Sequence, residues 1–193
     1  MKVGVLALQG AVSEHIRMVE QCGHQAIPVK TIVQLNQIQR LIIPGGESTT
    51  IGKLLVRYNM DEKIVDLYQR TGLPIYGTCA GMILLARKIE GQEQSMLGLM
   101  NITVKRNAFG RQIDSFEAYL KIRGITPPLF KAIFIRAPYI IGFEKKKNVE
   151  ILSYFKKNIV VAREDNILVS SFHPELGCDI RLHKYFLEDF NKK

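Results

Sequence analysis

Cys79 lies in the segment Gly77-Thr78-Cys79-Ala80-Gly81, where a short apolar run ends and a helical pattern begins. A nucleophile elbow has this form, because flanking glycines leave room for a strained nucleophile between a strand and a helix. The start of a helix also stabilises a thiolate, and the backbone N–H of Ala80 would point at a developing oxyanion. A buried structural cysteine beside a turn fits the same residues, so both interpretations stay open at this point.

His173 and Glu175 lie two residues apart, immediately after the apolar run 167–172, which predicts a strand. The carboxyl ends of strands are where open α/β sheets build their sites. In extended backbone, residues two apart project to the same side, so the carboxylate can orient the imidazole towards a sulfur. The pair would then supply a base and the group that orients it. A purely structural pair is the alternative.

A glycine-rich segment, Pro44-Gly45-Gly46, follows another apolar run. Glycine lets the backbone approach a ligand closely, and the N–H of Gly46 can complete a two-donor oxyanion hole with Ala80. Ser48 or Thr49 is a suitable cap for the helix that follows. The glycines can also form only a tight turn. A phosphate-binding loop is disfavoured because the GxxxxGK[ST] pattern is absent.

The remaining histidines and cysteines show no comparable pattern. The three histidines fall in or next to helical patterns, which predicts surface or packing roles. The cysteines are few, widely spaced and without a CxxC pair, which predicts neither a disulfide framework nor a zinc site. These residues are His15, His24, His183, Cys22 and Cys178.

Strand-like and helix-like segments alternate in the first half of the chain, which predicts an α/β fold with an open, mostly parallel sheet and helices on both faces. The second half is more strand-like and predicts a small antiparallel section before a final helix. With no linker or repeat, residues 1–193 are expected to form a single domain. The predicted strands are 3–8, 26–29, 41–43, 73–76, 131–135, 149–155, 159–162 and 167–172, and the predicted helices are 11–22, 48–58, 60–70, 80–88 and 180–190.

Composition narrows the function classes. Apolar residues make up 47% of the chain and charged residues 23%, as in an ordinary globular domain. The net charge of +9 invites nucleic-acid binding, but the basic residues are scattered and the densest runs are only Lys145-Lys146-Lys147 and Lys156-Lys157. A solvated basic surface is therefore preferred. The first residues read as a strand and not as a signal peptide, which predicts a cytoplasmic location.

Several longer motifs extend over nearly the whole chain. They are GVLALQGAVSEH at 4–15, PGGESTT at 44–50, GTCAG at 77–81, RNAFGRQIDSFE at 106–117, FIRAP at 134–138 and SFHPEL at 171–176. With them the sequence resembles the class I, or triad, glutamine amidotransferases, and within these the glutaminase subunits of pyridoxal 5'-phosphate synthase. The resemblance implies a three-layer, flavodoxin-like fold.

The resemblance also implies residue roles. Cys79 would be the nucleophile, His173 the base and Glu175 its orienter, in a hydrolysis of L-glutamine that uses no metal or organic cofactor. The oxyanion hole would be formed at Gly46 and Ala80. The residues expected to hold glutamine are Gly46, Glu47, Ser48, Arg106, Ile135 and Arg136. From the residues alone, Arg106 reads as a surface charge and Glu47 as an acid favouring the start of a helix.

A partner follows from the same resemblance. The ammonia would pass to a (β/α)₈-barrel synthase subunit that makes pyridoxal 5'-phosphate, and docking of that subunit would control the glutaminase. Two other interpretations remain, since a Cys-His-Glu triad does not by itself name the amide. One is a cysteine peptidase-like hydrolase on the same fold, and the other is a non-enzymatic interaction subunit with a relic site.

Overall fold

The computed structural model describes residues 1–92, 96–106, 115–144 and 147–190. Within them, short apolar runs form the strands, as their β-branched residues favour. The strands are β1 (Lys2–Leu6), β2 (Gln25–Val29), β3 (Arg40–Ile43), β4 (Ile75–Thr78), β5 (Ala86–Ile89), β6 (Met100–Lys105), β7 (Ser115–Leu120), β8 (Phe130–Ile135), β9 (Tyr139–Phe143), β10 (Glu150–Phe155), β11 (Asn158–Glu164) and β12 (Ile167–Ser170).

One large sheet runs in the order β2-β1-β3-β4-β12-β11-β9-β6-β5. From β2 to β12 all neighbours are parallel, which is the doubly wound order of flavodoxin-like proteins with β12 as the fifth strand. Beyond β12 the pairing becomes antiparallel, except that β5 and β6 are parallel. β10 pairs with β11, and β7 with β8 forms a separate antiparallel ribbon. The predicted fold class is confirmed.

Helices cover both faces of the sheet. They are α1 (Val12–Gln21), α2 (Ile32–Leu35), α3 (Ser48–Arg57), α4 (Met60–Thr71), α5 (Ala80–Leu85) and α6 (Arg181–Lys184), with a 3-10 turn at Pro174–Leu176 and a π-helical turn at Tyr185–Asp189. Leu41 and Ile43 of β3 pack into the core shared with α3, α4 and α5, while Ile42 packs into the core shared with α1 and α6. This alternation along buried strands produces three layers.

Some predicted bounds were wrong. The helix predicted for 80–88 ends at Leu85, because Ala86–Ile89 leaves the helix and pairs with β6. β1 ends at Leu6 and does not reach residue 8. α2 and β9 were not predicted. α2 is short and begins with a capping box between Thr31 and Gln34, and four residues are too few to show a helical period of apolar residues.

The sheet brings three carboxyl-terminal strand ends together. β3, β4 and β12 are neighbours, with Ile43 opposite Gly77 and Ser170 opposite Thr78. The segments that follow these three strands are the ones that carry the predicted nucleophile, base and oxyanion donor. Because all three strands are parallel, their ends meet at the same edge of the sheet.

Two predicted features lie partly outside the described residues. The motif at 106–117 includes residues 107–114, and the basic run at 145–147 includes Lys145 and Lys146. Across the described ranges, none of the helices has the length and apolar character that crossing a membrane requires.

Candidate active site

Cys79 occupies a strained turn between β4 and α5. Its backbone has φ 48° and ψ −101°, in a region that costs a non-glycine residue free energy. The turn is held because the N–H of Cys79 donates to the carbonyl of Ser170 at 2.8 Å. A Cβ at Gly81 would lie 2.2 Å from the carbonyl oxygen of Ile43, and a Cβ at Gly77 would lie 2.6 Å from the carbonyl carbon of Gly81. Both glycines are therefore required by close backbone packing.

His173 and Glu175 form a buried pair. Nδ1 of His173 lies 2.7 Å from Oε1 of Glu175, whose side chain is fully buried, and the backbone N–H of His173 donates to Ile133 at 2.8 Å. The segment is not extended as predicted, because Pro174–Leu176 makes a 3-10 turn in which the proline presets the first φ angle. The turn still brings the carboxylate to the imidazole.

In this pair, the surroundings favour a protonated imidazole on His173 and an ionised carboxylate on Glu175. Burial disfavours the charged imidazole, but hydrogen bonds to Cys79 and Glu175 outweigh it and raise the pKa of His173 to about 10. Burial likewise opposes the carboxylate, yet nearby His15 and the hydrogen bond from His173 keep the pKa of Glu175 below its usual value. An imidazolium held between a carboxylate and a thiol is the arrangement that an acid–base group needs beside a sulfur nucleophile.

The protonation of His173 can be checked by NMR, because the sequence has four histidines and their ring signals can be assigned one by one. The ring protons of His173 should show no titration between about pH 7 and 9, because its pKa lies near 10. Burial lowers the pKa of His15, and lowers that of His183 to about 3, so both should remain neutral in the same range. Cys79→Ala removes one of the hydrogen bonds, and the titration of His173 should then move to lower pH. A wild-type midpoint near 6.5 would contradict the pairing.

A cavity of about 440 Å³ opens above Cys79. Glu175 does not line this cavity, but its carboxylate is bonded to His173, which does. Every other predicted site residue lines it, namely Gly46, Glu47, Ser48, Cys79, Ala80, Arg106, Ile135, Arg136 and His173. Among the described residues, the buried Nε of Arg106 has no hydrogen-bond partner. Arg106 itself lines the cavity, and an arginine in such a position is suited to a ligand carboxylate.

Glu47 lines the cavity and also has a structural role at the start of α3. Its carboxylate accepts hydrogen bonds from the hydroxyl of Thr50 and from the N–H groups of Thr50 and Thr49, which lower its pKa to about 2. Glu47 is therefore the cap of α3, and the prediction that Ser48 or Thr49 would cap this helix was wrong. From the position before the helix, the carboxylate of Glu47 accepts the N–H groups of the first turn, as shorter capping side chains do.

The loop after β3 is fastened on two sides. The N–H of Gly45 donates to Oγ1 of Thr78 at 3.0 Å, and the carbonyl of Gly45 accepts from Ala11 at 3.2 Å. The side chain of Gln9 accepts from the N–H of Glu47 at 2.8 Å. A Cβ at Gly10 would lie 1.9 Å from the carbonyl oxygen of Gly45, so only glycine fits there. The segment between β1 and α1 thus holds the loop that carries Gly46.

Sequence reasoning missed several residues around this site. Gln9 and Ile83 line the cavity. The LQGA motif contained a signal for Gln9, whereas Ile83 resembled any apolar helix residue. His15 and His183 are fully buried, and Nε2 of His15 lies 3.4 Å from Oε2 of Glu175. Nothing in a helical pattern shows that a histidine faces a carboxylate 160 residues away in sequence.

Comparison with known proteins decides the family. The model of the SNO glutamine amidotransferase family matches residues 5–192. This chain belongs to that family. A pyridoxal 5'-phosphate synthase subunit PdxT from Pelotomaculum thermopropionicum is 56% identical over 188 residues, covering 97% of this chain and 94% of that protein. The PdxT subunit from Moorella thermoacetica is 53% identical over 188 residues, covering 97% of this chain and 98% of that one.

Solved structures agree with this membership of the SNO family. A crystal structure of a glutamine amidotransferase superposes with a TM-score of 0.90 at 44% identity and covers 96% of this chain and 97% of that chain. PurLQS from Thermotoga maritima superposes with a TM-score of 0.71 at 15% identity, covering 98% of both chains, and shows a shared fold only. Release of ammonia from an amide is chemistry that a thiol and an imidazole can perform, and Cys79 and His173 place these two groups at the cavity.

Proposed function

We propose that this chain is the glutaminase subunit of a pyridoxal 5'-phosphate synthase, that it acts as a single domain, and that it hydrolyses L-glutamine to L-glutamate and ammonia. Relatives at 56% and 53% identity, which this chain covers almost completely, are named as subunits of that synthase. The observation that carries the proposal is the Cys79 elbow, with the bonded pair His173 and Glu175 beside it, at one end of a cavity that also contains Arg106.

The first half of the reaction uses the charged form of the pair. The Cys79 thiolate attacks the side-chain carboxamide of glutamine, and the protonated His173 gives its proton to the departing ammonia. A γ-glutamyl thioester then remains on Cys79. The raised pKa of His173, about 10, keeps this proton available at neutral pH.

Acylation changes His173 from an acid into a base. The hydrogen bond that the protonated His173 donates to the sulfur of Cys79 is one cause of the raised pKa of His173, and it is lost when the sulfur becomes a thioester. The imidazole, which has just given up a proton, can then take one from water as that water attacks the thioester. Release of glutamate restores the thiol and completes acyl transfer without a metal or an organic cofactor.

Substrate is held by complementary charges. Arg106 lines the cavity and suits the α-carboxylate of glutamine, and Glu47, also in the lining, can face the α-ammonium group. Gly46, Ser48, Ile135 and Arg136 complete the lining. The N–H groups of Gly46 and Ala80 are assigned to the oxyanion, because both residues flank the space above the sulfur.

The ammonia needs an acceptor close by, since free ammonia is protonated and lost in water. We assign this acceptor to a synthase subunit with a (β/α)₈ barrel. We also assign control of the glutaminase to docking of that subunit, through the loop at Gly46. That loop is held by two hydrogen bonds at Gly45 and one from the N–H of Glu47 to Gln9, which a docking partner can rearrange.

Glutamate release tests the proposal directly. The chain is assayed with glutamine, with and without the synthase subunit of the same organism, and with a peptide substrate in parallel. We expect glutamate release that rises at least about tenfold when the synthase is added, and no peptide cleavage. Peptide cleavage without glutamate release would favour a cysteine peptidase-like hydrolase. Activity of the free chain equal to that of the complex would contradict control by docking.

A further inference from the structure

A buried chain of side chains continues from the triad into the molecule. Oε1 of Glu175 contacts His173, and Oε2 faces Nε2 of His15 at 3.4 Å. Nδ1 of His15 lies 2.9 Å from Nε2 of His183, and these side chains of Glu175, His15 and His183 are all fully buried. Among the described residues, Oε2 of Glu175 accepts no hydrogen bond, so His15 is the polar group placed to stabilise this oxygen.

The hydrogen-bond partners of His183 and His15 indicate which ring nitrogen of each histidine carries the proton. Within the described part of the chain, Nδ1 of His183 has no partner, and a buried N–H without an acceptor costs more than an unpaired lone pair. The proton of neutral His183 therefore sits on Nε2, which donates to Nδ1 of His15. The proton of neutral His15 must then sit on Nε2, where it faces the carboxylate of Glu175.

The same nitrogen also reaches the loop that carries Gly46. Nε2 of His15 lies 3.1 Å from Oγ1 of Thr78, and that hydroxyl oxygen accepts the N–H of Gly45 at 3.0 Å. The Nε2–H of His15 thus lies between the carboxylate of Glu175 and the hydroxyl of Thr78, which binds the loop that carries Gly46. Thr78 also precedes Cys79 directly, so its hydroxyl links His15 and the Gly45 loop next to the cysteine.

We infer that His15, oriented by His183, is a positioning residue for glutamine hydrolysis, which holds Glu175 on one side and the Thr78–Gly45 contact on the other. It does not line the cavity and touches no reacting atom. Its effect passes through Glu175 to His173, and through Thr78 to the loop at Gly46. This inference rests on the proposed glutaminase activity.

Three substitutions at His15 separate this role from packing. A glutamine amide nitrogen can reach the place of Nε2 and keep the contacts with Glu175 and Thr78, whereas an asparagine amide reaches only the place of Nδ1 and keeps the contact with His183. Leucine keeps neither. Relative to wild type, we expect His15→Leu and His15→Asn to lower kcat about 10- to 100-fold with KM changed less than about threefold, and His15→Gln to stay within about fivefold.

The measurement is the rate of glutamate release by the complex with the synthase subunit. Each rate is divided by the amount of Cys79 that iodoacetamide labels at completion, so that preparations with different contents of reactive protein can be compared. Met18→Ala is the matched control, since Met18 is also fully buried on α1, one turn after His15. We expect it to lower the Tm as much as His15→Leu does while kcat per labelled Cys79 stays unchanged. Asparagine equal to or better than glutamine would overturn the inference, as would full activity of His15→Leu.

A second readout does not depend on the glutaminase. The rate at which iodoacetamide alkylates Cys79 reports how well His173 supports the thiolate, and it should follow the same order, with glutamine above asparagine and leucine. If the wild-type complex releases no glutamate, the proposed function fails, yet this order still tests the positioning role. Equal alkylation rates in all three variants would overturn it.

Discussion

Replacing Cys79 by alanine should reduce glutamate release by the complex at least about 10,000-fold, to the level of the assay blank. In the proposed mechanism the sulfur of Cys79 becomes acylated, so without it no thioester can form and the remaining donors have no intermediate to stabilise. Binding of glutamine should persist, because the groups assigned to hold it, such as Arg106 and Glu47, are unchanged. The expected signature is therefore loss of kcat with glutamine binding retained in calorimetry.

The chain contains its own control for this substitution. Cys178 is exposed and free and lies three residues after Glu175, so Cys178→Ala removes a thiol close to the site in sequence without touching the cavity. We expect Cys178→Ala to keep wild-type glutamate release. Substantial activity in Cys79→Ala, or its loss in Cys178→Ala, would remove Cys79 from the role of nucleophile.

Replacing His173 by asparagine should lower kcat about 1,000-fold or more. Asparagine retains an amide nitrogen near Nδ1 that can still bond Glu175, but it has no nitrogen on the side that faces the sulfur. The proton for the departing ammonia is then missing, and the thiolate loses its imidazolium partner. Alkylation of Cys79 by iodoacetamide at neutral pH should slow in parallel with kcat.

The control for His173 is His24→Asn. His24 lies after α1, with its Nε2 3.6 Å from a carboxylate oxygen of Glu188 and away from the cavity. Its replacement should leave both kcat and the alkylation of Cys79 unchanged. An asparagine variant of His173 that alkylates as fast as wild type would mean that the imidazole does not support the thiolate.

The sequence predicted the parts of this fold that follow from local pattern. The apolar runs of β3, β4 and β12 are continuous because parallel strands are buried on both faces, and the turn residues behind them are unusual enough to identify. The sequence therefore places the three segments that follow these strands at one edge of the sheet. The parallel order alone is enough to bring Cys79, His173 and Gly46 together.

Other features depend on contacts that no local pattern records. α5 stops at Leu85 because the next residues pair with β6, which lies beyond a loop. Glu47 caps α3, where the sequence predicted Ser48 or Thr49 as the cap. The burial of His15 and His183 arises from the packing of α1 against α6, two elements from opposite ends of the chain. Tertiary contact decides such residues, so sequence patterns alone assign them to ordinary surfaces or cores.

The position of β12 has a consequence for how the chain is made. β12 is the last strand of the described residues, yet it lies in the middle of the sheet, between β4 and β11. On the ribosome the first strands emerge early, and β4 then has an unpaired apolar edge that invites wrong partners. His173 follows β12, so Cys79 meets the imidazole that we propose as its base only after this edge is closed. An unfinished chain is thus both exposed to aggregation and unable to release ammonia.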